Sequence, residues 1–149
     1  MSLDVPIAVT AFTAEDIRVA GIDKPQDFVA LTPNVSLVQT QNQGTSFITV
    51  RGISQARNSE PSVAVLVDGV LMSNPAQFNQ ELFDVTQIEV LKGAQGAVYG
   101  RNAIGGAVVL DMKNGFTWQG AELDVRGGSF KRRMGTFQFG KQVGDFAVY

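Results

Sequence analysis

The sequence predicts an α+β fold: a mixed β-sheet with short flanking helices, followed by antiparallel strands of a different texture. Three observations carry this. Ile88 to Met112 sets two apolar runs, Ile88-Val90-Leu91 and Ala107 to Leu110, on either side of a bend punctuated by Gly93, Gly96, Gly100, Gly105 and Gly106; short apolar runs bounded by glycine read as buried strands. Asp68-Gly69 separates Val63–Val67 from Val70–Met72, the two-residue signal of a type I′ hairpin. Beyond Met112 the period changes to two. Leu123 and Val125 alternate with Glu122, Asp124 and Arg126, Phe137 and Phe139 bracket Gln138, and Phe146 and Val148 follow Gly144-Asp145, a pattern of antiparallel strands with short turns.

Taken in order, Val5 to Phe12 is rich in β-branched residues with Pro6 near its start, where a missing amide is tolerated at an edge or first position, and it reads as an edge strand. Thr13 offers a capping hydroxyl with Asp16 three residues on, and Gly21 closes a helix over Ala14 to Ala20. A second helix starts around Ile22 to Pro25, packs through Phe28 and Leu31, and ends before Pro33. Val35 to Val38 and Phe47 to Ile53 read as strands. A helical turn around Glu81 to Thr86 leads into the Ile88 strand. The polar stretches Gln39 to Ser46, Ser54 to Ser62 and Ser73 to Gln80 read as loops, and loops on a rigid scaffold carry recognition. The composition shift near Asn114-Gly115 divides the chain into residues 1–113 and 114–149.

Composition limits the chemistry. The 149 residues are 44% hydrophobic with net charge −2, enough for one core and without the basic field that nucleic acid rewards. No nucleic-acid partner is expected. There is no histidine and no cysteine, which removes the commonest general base, thiol nucleophiles and the commonest soft metal ligands. The glycine bend invites a phosphate-cradle reading, and its spacing fails it: a dinucleotide fingerprint from Gly93 needs glycines where Gln95 and Val98 stand, and a P-loop needs Lys-Ser/Thr where Arg101-Asn102 follow Gly100. Glu89 is the one acid in its apolar strand and needs a donor or water. Facing solvent and pairing with Arg101 or Arg51 both satisfy it, whereas catalysis would need Asp68 or Asp84 to converge there. Tyr99 suits packing over Gly100 and Gly106 better than ligand stacking. No catalytic residue, metal site or cofactor is assigned.

In Ile88-Glu89-Val90-Leu91-Lys92-Gly93, Gly96, Tyr99-Gly100 and Gly105-Gly106 the chain resembles the C-terminal half of the plug domain of TonB-dependent outer-membrane receptors. Ala94 stands where the family has proline. The resemblance extends upstream through Val5-Pro6-Ile7, Leu31 to Val35, Ile48 to Ile53 with its Arg51-Gly52 pair, and Val65 to Val70 with Asp68-Gly69. It implies a plug over residues 1–113, held inside the lumen of its own barrel, and the first barrel strands over 114–149. Arg51 and Lys92 would act as a latch to carboxylates on the barrel wall. Gln41, Asn42, Arg57, Asn58, Asn74 and Phe78 would line the floor of the binding vestibule. The partners implied are the barrel, TonB through an upstream segment not seen before Asp4, iron-siderophore or similar ligands, and outer-membrane lipid, which Lys131 to Arg133 could meet. The absence of a secretory signal then reads as truncation. Alternation and length in Gln119 to Arg126 and Lys131 to Lys141, near the ~9 to 11 residues of a spanning strand, agree with a wall that faces lipid outside and a polar lumen inside. The alternative is a soluble periplasmic α/β domain that binds a protein through an exposed sheet edge.

Overall fold

The computed structural model describes residues 8–39, 46–54, 61–74, 78, 80–100, 102–128, 133–144 and 146–149. The chain divides into two compact units, Met1–Met112 and Lys113–Tyr149.

The first unit begins with β1 (Ala8–Thr13) and α1 (Ala14–Ala20). Thr13 ends the strand and starts the helix. Its hydroxyl oxygen accepts from Asp16 N–H while the Asp16 carboxylate accepts from Thr13 N–H, a reciprocal box that satisfies two otherwise free amides. Gly21 stops the helix at φ 65. The second helix, α2 (Pro25–Leu31), takes Pro25 in its first turn, and the Asp27 carboxylate accepts from the amides of Asp23 and Lys24. Its inward face is Pro25, Phe28 and Val29. Leu31, expected on that face, is 52% exposed: with Phe28 and Val29 turned into the core, the helical period carries Leu31 off the buried face.

Two strands, β2 (Val35–Gln39) and β3 (Ser46–Val50), pair antiparallel as a ribbon. The main sheet adds β4 (Val63–Val67), β5 (Val70–Leu71), β6 (Val85–Lys92) and β7 (Gly106–Met112), in the order β1-β6-β7-β4-β5. All neighbours are antiparallel except β4 and β7. The sheet is therefore mixed, with β1 at one edge. No helix forms at Glu81 to Thr86. The strand is already running at Val85, where β-branched Val85 and Thr86 extend the pairing with β7 as far as Met112, and tertiary pairing overrides the local signal.

Both faces of the central strands are covered, which is why Val63–Leu66 and Ala107-Val108 are continuous apolar runs rather than alternating ones. One face is the main core: Phe28 and Val29 of α2 pack with Ile48, Val50, Val65, Ile88, Val90, Val108 and Leu110. Phe12 and Phe78 flank Phe28 with ring centroids 6.4 and 6.2 Å away. The other face is thinner, Ala64, Leu66, Ala103 and Ala107 with Leu91, Tyr99 and Val109 against them.

The second unit is a three-stranded antiparallel sheet of β8 (Gly120–Gly127), β9 (Arg133–Val143) and β10 (Phe146–Val148), in the order β10-β9-β8. Leu123 stands opposite Phe137 and Ala121 opposite Phe139. On that face Leu123, Val125, Phe137 and Phe139 are all exposed.

Candidate functional site: the arginine turn and the glycine loop

The glycine loop continues the β6·β7 ladder past its last pair. Gly93 N–H donates to Gly105 C=O at 3.0 Å and Gln95 N–H to Ala103 C=O at 2.7 Å, and Gly105 N–H crosses to Ser62 C=O at 2.8 Å. A single helical turn, α3 (Gly96–Tyr99), closes the bend. Tyr99 packs over Ala64, Leu66, Ala103 and Ala107, a packing role. Only one glycine in the loop is forced by close approach. At Gly106, φ 153, a Cβ would lie 2.3 Å from Leu91 C=O, so backbone meets backbone where a side chain would stand.

Arg51 lies in a turn, not at the end of a strand as expected. Val50 and Ile53 exchange two backbone hydrogen bonds of 3.2 and 2.9 Å, which close a two-residue turn on Arg51 (φ 51) and Gly52 (φ 81). Both central residues are left-handed, as a type I′ turn requires. Arg51 N–H also donates to the carbonyl of Asn34 at 2.8 Å. In the left-handed region Cβ crowds the following carbonyl at a cost of about 1–2 kcal/mol; Asn offsets it with local hydrogen bonds from its short side chain, which Arg lacks. The side chain is exposed, and Nη1 lies 3.6 Å from the point a Cβ on Gly93 would occupy. Arg51 and the Lys92-Gly93 pair therefore share one end of the fold.

Lys92 reads differently from the expectation of a second outward charge. By period two it shares the inward face of β6 with Ile88 and Val90, and it is 9% exposed. Its Nζ donates to Thr10 Oγ1 at 2.9 Å and to the Pro33 carbonyl at 3.4 Å, so it ties β1 and the α2–β2 turn to β6. Glu89 occupies the opposite face, where its carboxylate accepts from Gln87 Nε2 at 2.6 Å, the donor a half-buried acid needs.

Asp68-Gly69 forms the hairpin turn with φ 49 and 76. Asp68 does more than turn: its N–H donates to Leu110 C=O at 2.9 Å and its Oδ1 accepts from Met112 N–H at 2.8 Å, which carries the parallel β4·β7 pairing to the end of β7. Of the vestibule candidates, Asn74 is exposed. Phe78 is corrected: at 4% exposure it is a core residue, edge-on to Phe28. Its ring gains more from burial than an aromatic in a polar loop would. Gln41, Asn42, Arg57, Asn58 and Arg101 lie outside the described residues.

Sequence reasoning missed two features. Ser62 Oγ and Asn102 Oδ1 are buried with no hydrogen-bond partner; nothing in local sequence marks them. It also read Asn114-Gly115 only as a boundary, although a lysine and a tryptophan stand within four residues of that turn. Among charged groups, Asp16 has its carboxyl held below the ordinary value of 3.8 by its side-chain and backbone hydrogen bonds from Thr13.

The family model described as TonB-dependent Receptor Plug Domain matches residues 2–107. The pesticin receptor of Yersinia enterocolitica is 32% identical over 105 residues, covering 68% of this chain and 15% of the receptor. The catecholate siderophore receptor Fiu of Escherichia coli K12 is 25% identical over 142 residues, 95% of this chain and 18% of the receptor. The crystal structure of the ferric yersiniabactin uptake receptor FyuA from Yersinia pestis superposes with a TM-score of 0.79 at 26% identity, over 95% of this chain and 22% of that one. The chain thus spans less than a quarter of the length of these relatives. Both the matched residues and the fold around them assign the chain to the plug-domain family of TonB-dependent receptors, proteins of the outer membrane.

Proposed function

We propose that this chain is the plug and the first wall strands of an outer-membrane barrel, and that it gates TonB-energised uptake of iron-siderophore-type ligands. The observation that carries the reading is the two-faced sheet of the second unit. One face of β8 and β9 exposes Leu123, Val125, Phe137 and Phe139, while the other carries Glu122, Asp124 and Gln138. Lipid outside and a polar lumen inside call for this division, whereas a soluble sheet would cover so large an apolar patch.

Within that reading Arg51 is the latch. A residue held in the left-handed region at a cost is kept for what its side chain does, and an exposed guanidinium beside Gly93 suits a carboxylate on a surrounding wall. Lys92 has its partners inside the plug and supports the sheet instead. Gln41, Asn42, Arg57, Asn58 and Asn74 remain the floor of the ligand vestibule, offering amide and guanidinium hydrogen bonds. The chain performs no catalysis and needs no cofactor.

The test is uptake of a radiolabelled ferric catecholate by iron-starved cells that depend on the full reading frame carrying this chain, with and without functional TonB. Accumulation that requires TonB, with the protein in the outer-membrane fraction, is expected. Recovery in the soluble periplasmic fraction without TonB-dependent uptake would overturn the proposal in favour of a soluble interaction domain.

A further inference from the structure

The six residues that open the second unit, Lys113 to Trp118, are tied to all three of its strands. Lys113 Nζ donates to Glu122 Oε2 on β8 and to Gln138 Oε1 on β9, each at 2.9 Å, and those two residues stand directly opposite in the β8·β9 register. The same ammonium lies 5.0 Å from the centre of the Trp118 ring, within cation–π reach. Its side chain is 16% exposed. Trp118 in turn covers Gly140 of β9: a Cβ there would come 2.6 Å from the Trp118 carbonyl and 2.9 Å from its ring. Its ring meets Tyr149 edge-on at 5.9 Å. Gly115 is tucked under β10, where a Cβ would lie 2.7 Å from the Val148 carbonyl. The turn itself is locked by Asn114, whose Oδ1 accepts from the amides of Phe116 and Thr117 and whose carbonyl accepts from Trp118 N–H.

These contacts lie on the polar side of the sheet, opposite Leu123 and Phe137. We infer that Lys113 to Trp118 is a clasp that fixes the register of the first wall strands from inside, with Lys113 as its positioning residue. Lys113 sets which residues of β8 and β9 lie opposite each other by engaging Glu122 and Gln138 together; a slip of β8 by one residue would turn Glu122 toward the apolar face and break its bond to Lys113. Trp118 shields the ammonium and fills the space that Gly140 leaves. The strands so pinned are those read above as barrel wall, and the inference rests on that reading.

The chain contains a single tryptophan, so Trp118 emission reports the clasp directly. The experiment compares the whole chain in detergent micelles, wild type and variants, by Trp118 fluorescence and by hydrogen exchange. Lys113→Met is expected to change Trp118 emission and to speed exchange at Leu123 and Phe137 about tenfold, the scale of losing one charge-assisted bond pair. Exchange at Ile88 and Leu110 in the same sample should not move, which separates loss of the clasp from loss of folding. The exchanged pair Lys113→Glu with Glu122→Lys should restore protection at Leu123 and Phe137 through the reversed ion pair, while Trp118 emission stays altered because a cation no longer faces the ring. Wild-type protection at Leu123 and Phe137 that Lys113→Met leaves intact, with unchanged emission, overturns the clasp. Absence of that protection in the wild type overturns the wall reading beneath it, and the two failures are told apart by the wild-type sample alone.

Discussion

The family pattern treats its glycines alike, but the structure separates them, and the separation is measurable with Gly106→Ala and Gly96→Ala. At Gly106 an added Cβ would lie 2.3 Å from the Leu91 carbonyl oxygen, about 1 Å inside normal contact. Neighbouring carbonyls on a packed sheet cannot yield that much singly, because interiors are close-packed. β6 and β7 must part where Lys92 faces Gly106, and β4 must follow where Val63 faces it. The φ of 153 adds the strain of a conformation that side chains avoid, of order 1–3 kcal/mol. Weakening the adjacent bonds, Gly93 to Gly105 and Gly105 to Ser62, adds about 1 kcal/mol each. The total is about 3–5 kcal/mol, a large share of the ~5–15 kcal/mol that keeps a domain folded. Gly96 lies in α3 with an ordinary φ and nothing within 4 Å of its added Cβ. Alanine there removes freedom from the unfolded chain and should be neutral or stabilising by about 0.5–1 kcal/mol. Urea melting by circular dichroism measures both, with amide exchange at Ile88 and Leu110 assigning the transition to the first unit. A Gly106→Ala midpoint equal to that of Gly96→Ala would refute the close-approach argument.

Two further outcomes follow from strain and charge. Arg51→Asn should stabilise this chain by about 1 kcal/mol in the same melts, since Asn accepts the left-handed turn; in the intact receptor it should loosen the plug, because a carboxylate left without its cation costs about 3–5 kcal/mol. Destabilisation of the chain itself would show that the guanidinium is structural. Asp16 has a folded pKa below 3.8, so its contribution to the start of α1 is complete above that value and is lost as pH falls through the lowered one. The Thr13 amide resonance should titrate with a midpoint below 3.8, and Asp16→Asn should abolish that titration; a midpoint at or above 3.8 contradicts the capping box.

Features that depend on residues near one another in sequence were legible without coordinates. Thr13 with Asp16 and Gly21 bounded α1, Asp68-Gly69 made its hairpin, and the period-two alternation from Leu123 to Phe139 delivered antiparallel strands with one apolar face. The glycine spacing around Tyr99 was enough to resemble the right family.

What the sequence alone could not decide is which elements become neighbours. β1 pairs with β6, so that Ala8 faces Lys92, and only that long-range pairing brings the Lys92 ammonium to Thr10 and turns it from a latch candidate into an internal tie. Phe78 reads as a loop aromatic until Phe28 arrives beside it. Arg51 reads as the end of a strand until the Val50 and Ile53 backbones close on each other and Asn34 accepts its amide. Lys113 has no evident role until β8 and β9 set Glu122 opposite Gln138. Local sequence fixes backbone preferences worth a fraction of a kcal/mol per residue. Burying a large side chain or pairing a charge is worth several times more, and it depends on residues far away in the chain, so the side chains in question take their roles from the tertiary fold.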